Sequence, residues 1–325
     1  MTAKELAKDD QAKVENILLS YNQESFLTQA LDSVLQQKTN FPFRIIAADD
    51  GSTDHTIDIL RAYQRKYPGK IKLLTAEKNG GNLVNIIRAM EILNCQYFAL
   101  LDGDDFWVGN GRLQEQVDFL DQNPHYSSCG GQVRLLEGDQ LTGATLPNEM
   151  LGTDYTFADA FQRPMLIHTS SLLLRNVVFS QYIPHEFYDV ITTFENCALR
   201  GEDFRRLLHL EQGPCRILPK VLSVYRIHQR GIWSGASSAK KAIESAISAH
   251  FEQKYFGSRH PELQNEIAAY ARFYYREMWA TLVNEEYVYP DYRLSEHEGN
   301  LLRDFLDALN QDKKKEMLLK KTMTV

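Results

Sequence analysis

Between residues 14 and 105 the chain repeats one unit, a short apolar run followed by a segment whose apolar residues recur every three or four positions. The runs are residues 14–21 (VENILLSY), 43–48 (FRIIAA), 71–75 (IKLLT) and 97–101 (YFALL). The first intervening segment, residues 24–37, carries Phe26, Leu27, Ala30, Leu31, Val34 and Leu35 at helical spacing. The second runs through Ile57, Leu60 and Tyr63 to Pro68-Gly69. The third opens at Asn79-Gly80-Gly81-Asn82 and carries Leu83, Ile86, Ile87 and Met90. Short buried strands alternating with amphipathic helices predict an α/β fold with a parallel sheet and right-handed crossovers. Open sheets of this kind bind ligands outside the carboxyl ends of their strands. Three polar clusters fall at those ends: Ser20-Tyr21-Asn22, Asp49-Asp50-Gly51-Ser52 and Asp102-Gly103-Asp104-Asp105.

The last cluster poses the sharpest chemical question. Close carboxylates repel and raise one another's pKa unless a cation sits among them. The cluster therefore either faces water or holds a metal. A D-x-D at a strand end suits a divalent cation with hard oxygen ligands, Mg²⁺ or Mn²⁺. An acidic turn capping the next helix is the blander reading. Asp49 or Asp50 could accept hydrogen bonds from a nucleobase or a ribose. Ser52, Thr53 or Asp54 is expected to cap the following helix. Asn79 to Asn82 allows close backbone approach to a ligand, or simply starts a helix.

Beyond Arg112 the alternation is less regular. Residues 112–122 and 204–210 read as helices, and residues 126–136, 169–174 and 221–225 as strands. Gly201-Glu202-Asp203 puts paired carboxylates at a helix start. They could supply a general base or simply favour the helix dipole. Residues 224–233 pack Arg226, His228, Arg230 and Trp233 beside glycine. There His228 could ligate metal, and an arginine could meet phosphate. Small residues at 231–238 mark a domain boundary. The expected organisation is a solvated tail over 1–13, a catalytic domain over 14–235 and a helical region over 236–325. In that last region Ile243, Ile247, Phe251 and Tyr255 suit one helix face. Ile267, Tyr270, Phe273, Tyr274 and Met278 suit another.

The 325 residues are 43% hydrophobic, enough for a sizeable core, and carry a net charge of −7. That charge argues against a nucleic-acid partner. The four cysteines are scattered without metal-ligand spacing and read as reduced, which fits a cytoplasmic protein. No signal peptide or membrane span is expected.

Taken in order, these segments resemble the family 2 glycosyltransferases with the GT-A fold. "SYNQESFLTQALDSVLQQ" resembles the family's first strand and helix, "IIAADDGSTDHT" its nucleotide-binding turn and "ALLDGDDFW" its metal motif. "HTSSLLLRN", "GEDFRRLLHL" and "VLSVYRIHQRGIWSG" resemble its later acceptor, base and C-terminal elements. The resemblance implies a mostly parallel central sheet flanked by helices, with a C-terminal helical extension. It places Ser20, Tyr21, Asn22, Glu24, Asp49, Asp50, Asn79, Asp102, Gly103, Arg226 and Trp233 around a nucleotide sugar. It makes Asp104 the principal ligand of Mn²⁺ or Mg²⁺, joined by Asp102 and His228. Asp203 becomes the catalytic base, with Glu202 beside it.

The implied reaction is inverting transfer of a single sugar, with a UDP-sugar as donor. The acceptor is a hydroxyl of a glycan, a lipid-linked or a protein-linked molecule, as in polysaccharide biosynthesis. Gln229-Arg230-Gly231-Ile232-Trp233 lacks the Q-x-x-R-W spacing of processive members, and Ile86-Ile87 stands where an Ala-Arg-Asn-like segment is common. A nucleotidyltransferase would show a basic, glycine-rich loop after the first strand, unlike "SYNQESF". A non-catalytic sugar-nucleotide-binding or scaffold protein is the remaining alternative. The C-terminal helices could pair two copies. The basic tail "QDKKKEMLLKKTM" could touch an anionic membrane surface, although a solvated helix end explains it more simply.

Overall fold

A computed structural model describes residues 12–164, 167–180, 183, 185 and 201–284. The expected N-terminal tail, up to residue 11, and the basic C-terminal tail lie outside the described residues. The chain divides into two compact units. One comprises residues 1–187 with 202–235, and the other residues 188–201 with 236–325.

The first unit is built on a ten-stranded sheet. Strands β1 (Val14–Ser20), β2 (Phe43–Asp49), β3 (Ile71–Thr75) and β4 (Tyr97–Asp102) are parallel, in the order β3-β2-β1-β4. Helices α1 (Leu27–Leu35), α2 (Thr56–Lys66) and α3 (Asn82–Met90) link them in turn. Every residue of β1 is buried, as both faces of a parallel sheet require. Leu27, Ala30, Leu31 and Val34 of α1 pack on Val14, Leu18, Ala99 and Leu101. Each fully buried aliphatic side chain of this kind contributes about 1.5–3 kcal/mol.

Register carries the polar clusters to one edge. Ser20 pairs with Asp49, Asp49 with Thr75, and Leu19 with Asp102. Beyond β4 come β5 (Phe106–Trp107), α4 (Arg112–Gln122), β6 (Ser128–Glu137), β7 (Gln140–Ala144), β8 (Asp154–Tyr155), α5 (Phe157–Gln162) and β9 (Leu173–Arg175). Helix α6 (Gly201–Gln212) then leads into β10 (Cys215–Ile227). β9 runs antiparallel between β4 and β6, and β10 runs parallel to β6.

Two sequence expectations shift here. Residues 169–171 form a 3-10 turn rather than a strand, because the N–H groups of Ser171 and Leu172 bond back to His168 and Thr169. The strand expected at 221–225 is the end of the longer β10, whose register slips on either side of Val221. Pro219 cannot donate to a ladder, so local patterning hid the first half.

In the second unit, α7 (Ser238–Gly257) packs on α8 (Gln264–Asn284), with His250 Nδ1 3.0 Å from the Tyr275 hydroxyl. Ile267, Tyr270, Tyr275 and Met278 are buried, but Phe273 is 51% exposed. At 100° per residue, Phe273 lies on the far side of the stripe running through 267, 271, 274, 275 and 278.

Candidate active site

The loops after β1 and β2 are stapled to each other. Asn22 adopts a left-handed backbone (φ +53°), and its Oδ1 accepts the Thr53 N–H at 2.8 Å. The Asn22 N–H donates to Ser52 Oγ at 2.9 Å, and Glu24 Oε2 accepts the His55 N–H at 2.9 Å. Asp49 accepts both the hydroxyl and the N–H of Ser52, and the Ser20 hydroxyl as well. Asp54 Oδ1 takes the first N–H of α2, from Thr56, although the N-cap is His55 rather than Ser52, Thr53 or Asp54 and makes no side-chain capping bond. Thus Ser20, Asn22, Glu24 and Asp49 shape the rim through contacts with protein, and Tyr21, 41% exposed, is the side chain left on its surface.

Asp50 takes the N–H groups of Gly80 and Gly81 at 2.9 and 2.8 Å, and Asn79 Oδ1 also accepts from Gly81. Burial nonetheless pushes Asp50 above the usual carboxylate range, against those bonds and the charge of Arg88. Gly51 (φ +71°) lets this loop lie against Lys78, whose carbonyl carbon would sit 2.6 Å from any added Cβ. A Cβ on Gly103 would meet Gln23 Oε1 and the Leu19 carbonyl, so close packing on the first strand also accounts for that glycine.

The acidic cluster after β4 meets the end of β10. His228 Nε2 lies 2.9 Å from Asp104 Oδ2. The Arg226 side chain donates to the Asp104 carbonyl at 3.0 Å and to Gln29 at 2.7 Å, and its guanidinium lies 4.6 Å over Phe26. Arg226 is thereby committed to joining β10, β4 and α1. Asp105 Oδ1 accepts the Arg226 backbone N–H, while its Oδ2 is buried without a partner among the described residues. Trp233 is half-buried and Arg230 exposed. A cavity of about 400 Å³ opens beside His228, lined by Glu137, Ile227, Gln229, Ser234 and Gly235.

A third wall comes from His168, Thr169 and the start of α6. The N–H and hydroxyl of Thr169 both donate to Glu202 Oε1, the former at 2.9 Å. Arg205, 2% exposed, donates to the Thr169 hydroxyl at 3.1 Å and leaves Nη1 without a partner among the described residues. Asp203 pairs with Arg206 at 2.9 Å along the helix, so the two adjacent carboxylates have different partners. Burial pushes Glu202 up, but His168, Arg205 and the Thr169 bonds outweigh it and hold Glu202 below the usual range. His168, Thr169 and Arg205 escaped the sequence reading as individual site residues. Their signals were the hydroxyl run entering an apolar strand and the paired arginines on an apolar helix.

Arg205 is a cation among the carboxylates that the sequence did not reveal. It offsets Asp102 only in part. Burial, then Asp104 and Glu202, still raise Asp102 to about 7. Burial, then Asp104 and Asp102, push Asp105 well above its usual range. Among the described residues no three His, Cys, Asp or Glu side chains form a metal-ligand group, so the expected trio of Asp102, Asp104 and His228 is not assembled as one cage. Asp102 stands instead within the field of Glu202 and Arg205. Asp104 with His228, in a field of under-compensated carboxylates, still fits a divalent cation. Such cations commonly take one or two protein donors and fill the remaining positions with phosphate and water.

Residues 17–179 match Glycosyl transferase family 2. An uncharacterized protein of Mycobacterium tuberculosis is 29% identical over 225 residues, covering 69% of this chain and 62% of that protein. The chain thus spans less than two thirds of that relative's length. An uncharacterized glycosyltransferase of Nostoc is 26% identical, covering 74% of this chain and 72% of its own length. Among solved structures, residues 1–349 of S. aureus TarS in complex with UDP-GlcNAc align with a TM-score of 0.53 at 17% identity, covering 82% and 81% of the two chains. A Pyrobaculum calidifontis mannosyltransferase in complex with GDP-Man and Mn²⁺ gives a TM-score of 0.54 at 12% identity, covering 92% and 80%. The α/β sheet, its strand-end carboxylates and the match over residues 17–179 make this chain a member of glycosyltransferase family 2 with the GT-A fold.

Proposed function

We propose that the chain moves one sugar from a UDP-sugar to a hydroxyl of a glycan, lipid-linked or protein-linked acceptor, with inversion and with help from Mn²⁺ or Mg²⁺. The observation that carries this reading is the 2.9 Å contact of Asp104 with His228, 124 residues apart, at the carboxyl edge of the parallel strands. The complexes of TarS with UDP-GlcNAc and of the mannosyltransferase with GDP-Man and Mn²⁺ support the donor class and the metal. A similar protein of Bacillus subtilis, 33% identical over 129 residues, is named a putative teichuronic acid biosynthesis glycosyltransferase, which supports a polymer-building context. Buried free thiols at Cys95, Cys129 and Cys215 fit a cytoplasmic reaction. No helix among the described residues is long and apolar enough to cross a membrane.

Asp104 and His228 would hold the cation, which would neutralise charge on the diphosphate as it departs. Tyr21 would offer its ring to the nucleoside. Asp50 and Asn79 would hold the β3–α3 loop against the ribose side. Asp203, by its place in the family motif, would take the proton of the acceptor hydroxyl as that oxygen bonds the anomeric carbon. The bond to the diphosphate would break on the opposite face, which inverts the configuration. Glu202 would fix the neighbouring wall through Thr169.

The test is nucleoside diphosphate release from a panel of nucleotide sugars, with and without Mn²⁺, for wild type, Asp104→Ala, Glu202→Gln and Asp203→Asn. One donor should be consumed, with metal dependence lost in Asp104→Ala. Asp203→Asn should lose about 10²–10⁴-fold in turnover. Product anomers assigned by NMR should be inverted; retention would overturn the stereochemistry. If no donor binds or turns over, a binding or scaffolding role takes precedence.

A further inference from the structure

His168 is buried, 8% exposed, on the wall that carries Glu202, and no step above uses it. Its Nδ1 accepts the Ser170 N–H at 3.3 Å, which caps the 3-10 turn. A ring nitrogen that accepts carries no proton. The Ser170 hydroxyl, 2.8 Å from the same nitrogen, must therefore donate to it, and Ser223 Oγ, 2.8 Å from Ser170 Oγ, then donates to Ser170. This chain of hydroxyls fixes the proton on Nε2, at the opposite edge of the ring. Tyr225 braces the imidazole at 4.6 Å between ring centres. Burial holds the ring below the usual histidine pKa, so it is neutral near pH 7. Nε2 has no hydrogen-bond partner among the described residues. The carboxylates acting on the ring are Glu202 and Asp104.

We propose that His168 Nε2–H donates a hydrogen bond to a sugar hydroxyl held between Asp104 and Glu202, making His168 a substrate-binding residue. The inference rests on the transferase reading. A hydroxyl fits because it can accept from Nε2–H while donating to a carboxylate. A diphosphate oxygen only accepts, so it could not also bond the Glu202 carboxylate. The hydroxyl could belong to the transferred sugar or to the acceptor, and the experiment separates the two.

Two substitutions divide the imidazole's roles. His168→Asn keeps an acceptor near Nδ1 for the Ser170 N–H and removes the distal donor. His168→Gln reaches the Nε2 position with an amide N–H. Calorimetry with Mn²⁺ would compare UDP-GlcNAc, UDP-glucose and GDP-mannose with UDP and GDP alone. The same nucleotide sugars would be assayed for turnover with methyl glucoside and methyl galactoside as acceptors. In His168→Asn we expect unchanged melting temperature and unchanged affinity for the bare nucleotide.

If the hydroxyl is on the donor, the preference for nucleotide sugar over bare nucleotide falls about tenfold. If it is on the acceptor, that preference stands and acceptor-dependent turnover falls about tenfold instead. In either case His168→Gln restores most of the loss. The inference is overturned if His168→Asn matches wild type in both assays. It is equally overturned if Asn lowers the melting temperature together with activity and Gln restores neither. If wild type distinguishes no nucleotide sugar from its bare nucleotide and turns none over, the transferase reading itself fails and takes this inference with it.

Discussion

Two acidic pairs stand at the same edge of one sheet, and the protein treats them differently. Both oxygens of Asp50 are taken by the N–H groups of Gly80 and Gly81, and both oxygens of Asp49 by Ser52. After β4, burial and the charge of Asp104 raise the proton affinity of both Asp102 and Asp105, Asp102 adds to the effect on Asp105, and Asp105 Oδ2 has no partner among the described residues. Hydrogen-bonded carboxylates of the first kind hold loops in place. Under-compensated ones of the second kind favour a proton or a cation among them. Sequence alone shows two aspartate-rich turns of similar appearance; what separates them is which backbone N–H groups come within reach.

The largest expected effect sharpens this contrast. Asp104→Ala should weaken Mn²⁺-dependent UDP binding by about 10²–10³-fold by calorimetry, whereas Asp50→Ala should leave the dependence on metal intact. Equal loss of metal dependence in both variants would erase the distinction.

A second effect lies away from both pairs. His209 is fully buried, donates through Nδ1 to the Arg205 carbonyl at 2.8 Å, and packs its ring against Phe98 and Phe179 with Nε2 unpartnered among the described residues. Burial lowers its pKa to about 4. The unfolded chain therefore binds a proton below about pH 6.5 that the folded chain refuses until about pH 4. His209 contributes stability that is fully present above pH 6.5 and is lost as pH falls, amounting to about 3 kcal/mol by pH 4. Urea unfolding between pH 7 and 4 should show that slope, and His209→Gln should flatten it.

Next in size, Asp50→Ala should cost about 1–2 kcal/mol of stability in urea melts, because the N–H groups it frees are partly reachable by water. The smallest effect is expected at the exposed Lys220–Glu115 pair, 2.7 Å apart. Lys220→Ala should shift stability by no more than about 0.5 kcal/mol.

Much of the fold was legible because its signals are local. The four parallel strands and their helices follow from apolar runs and 3.6-residue spacing, and register then brings Ser20, Asp49 and Asp102 to one edge. The second half was harder to read. Residues 169–171 carry β-compatible side chains, but their hydroxyls and N–H groups close a 3-10 turn. Phe273 has the composition of a core residue and the wrong phase, and it is exposed. In the candidate site, Asp104 with His228 was anticipated from motif types. Arg205 among the carboxylates, the Thr169–Glu202 clasp and the fixed tautomer of His168 were not.

By itself, then, the sequence determined the parallel α/β order, the strand ends at which chemistry collects, and the residue types found there. Those follow from hydrophobic periodicity and chain connectivity, which are properties of neighbours along the chain. Only the tertiary structure decided which carboxylates are satisfied and which are left in one another's field. It also set Asp203 against Arg206 and Glu202 against Thr169, although the two are adjacent in sequence. The reason is physical: the charge state and bonding of a buried side chain depend on groups 30 to 124 residues away, brought within 3 Å by packing alone.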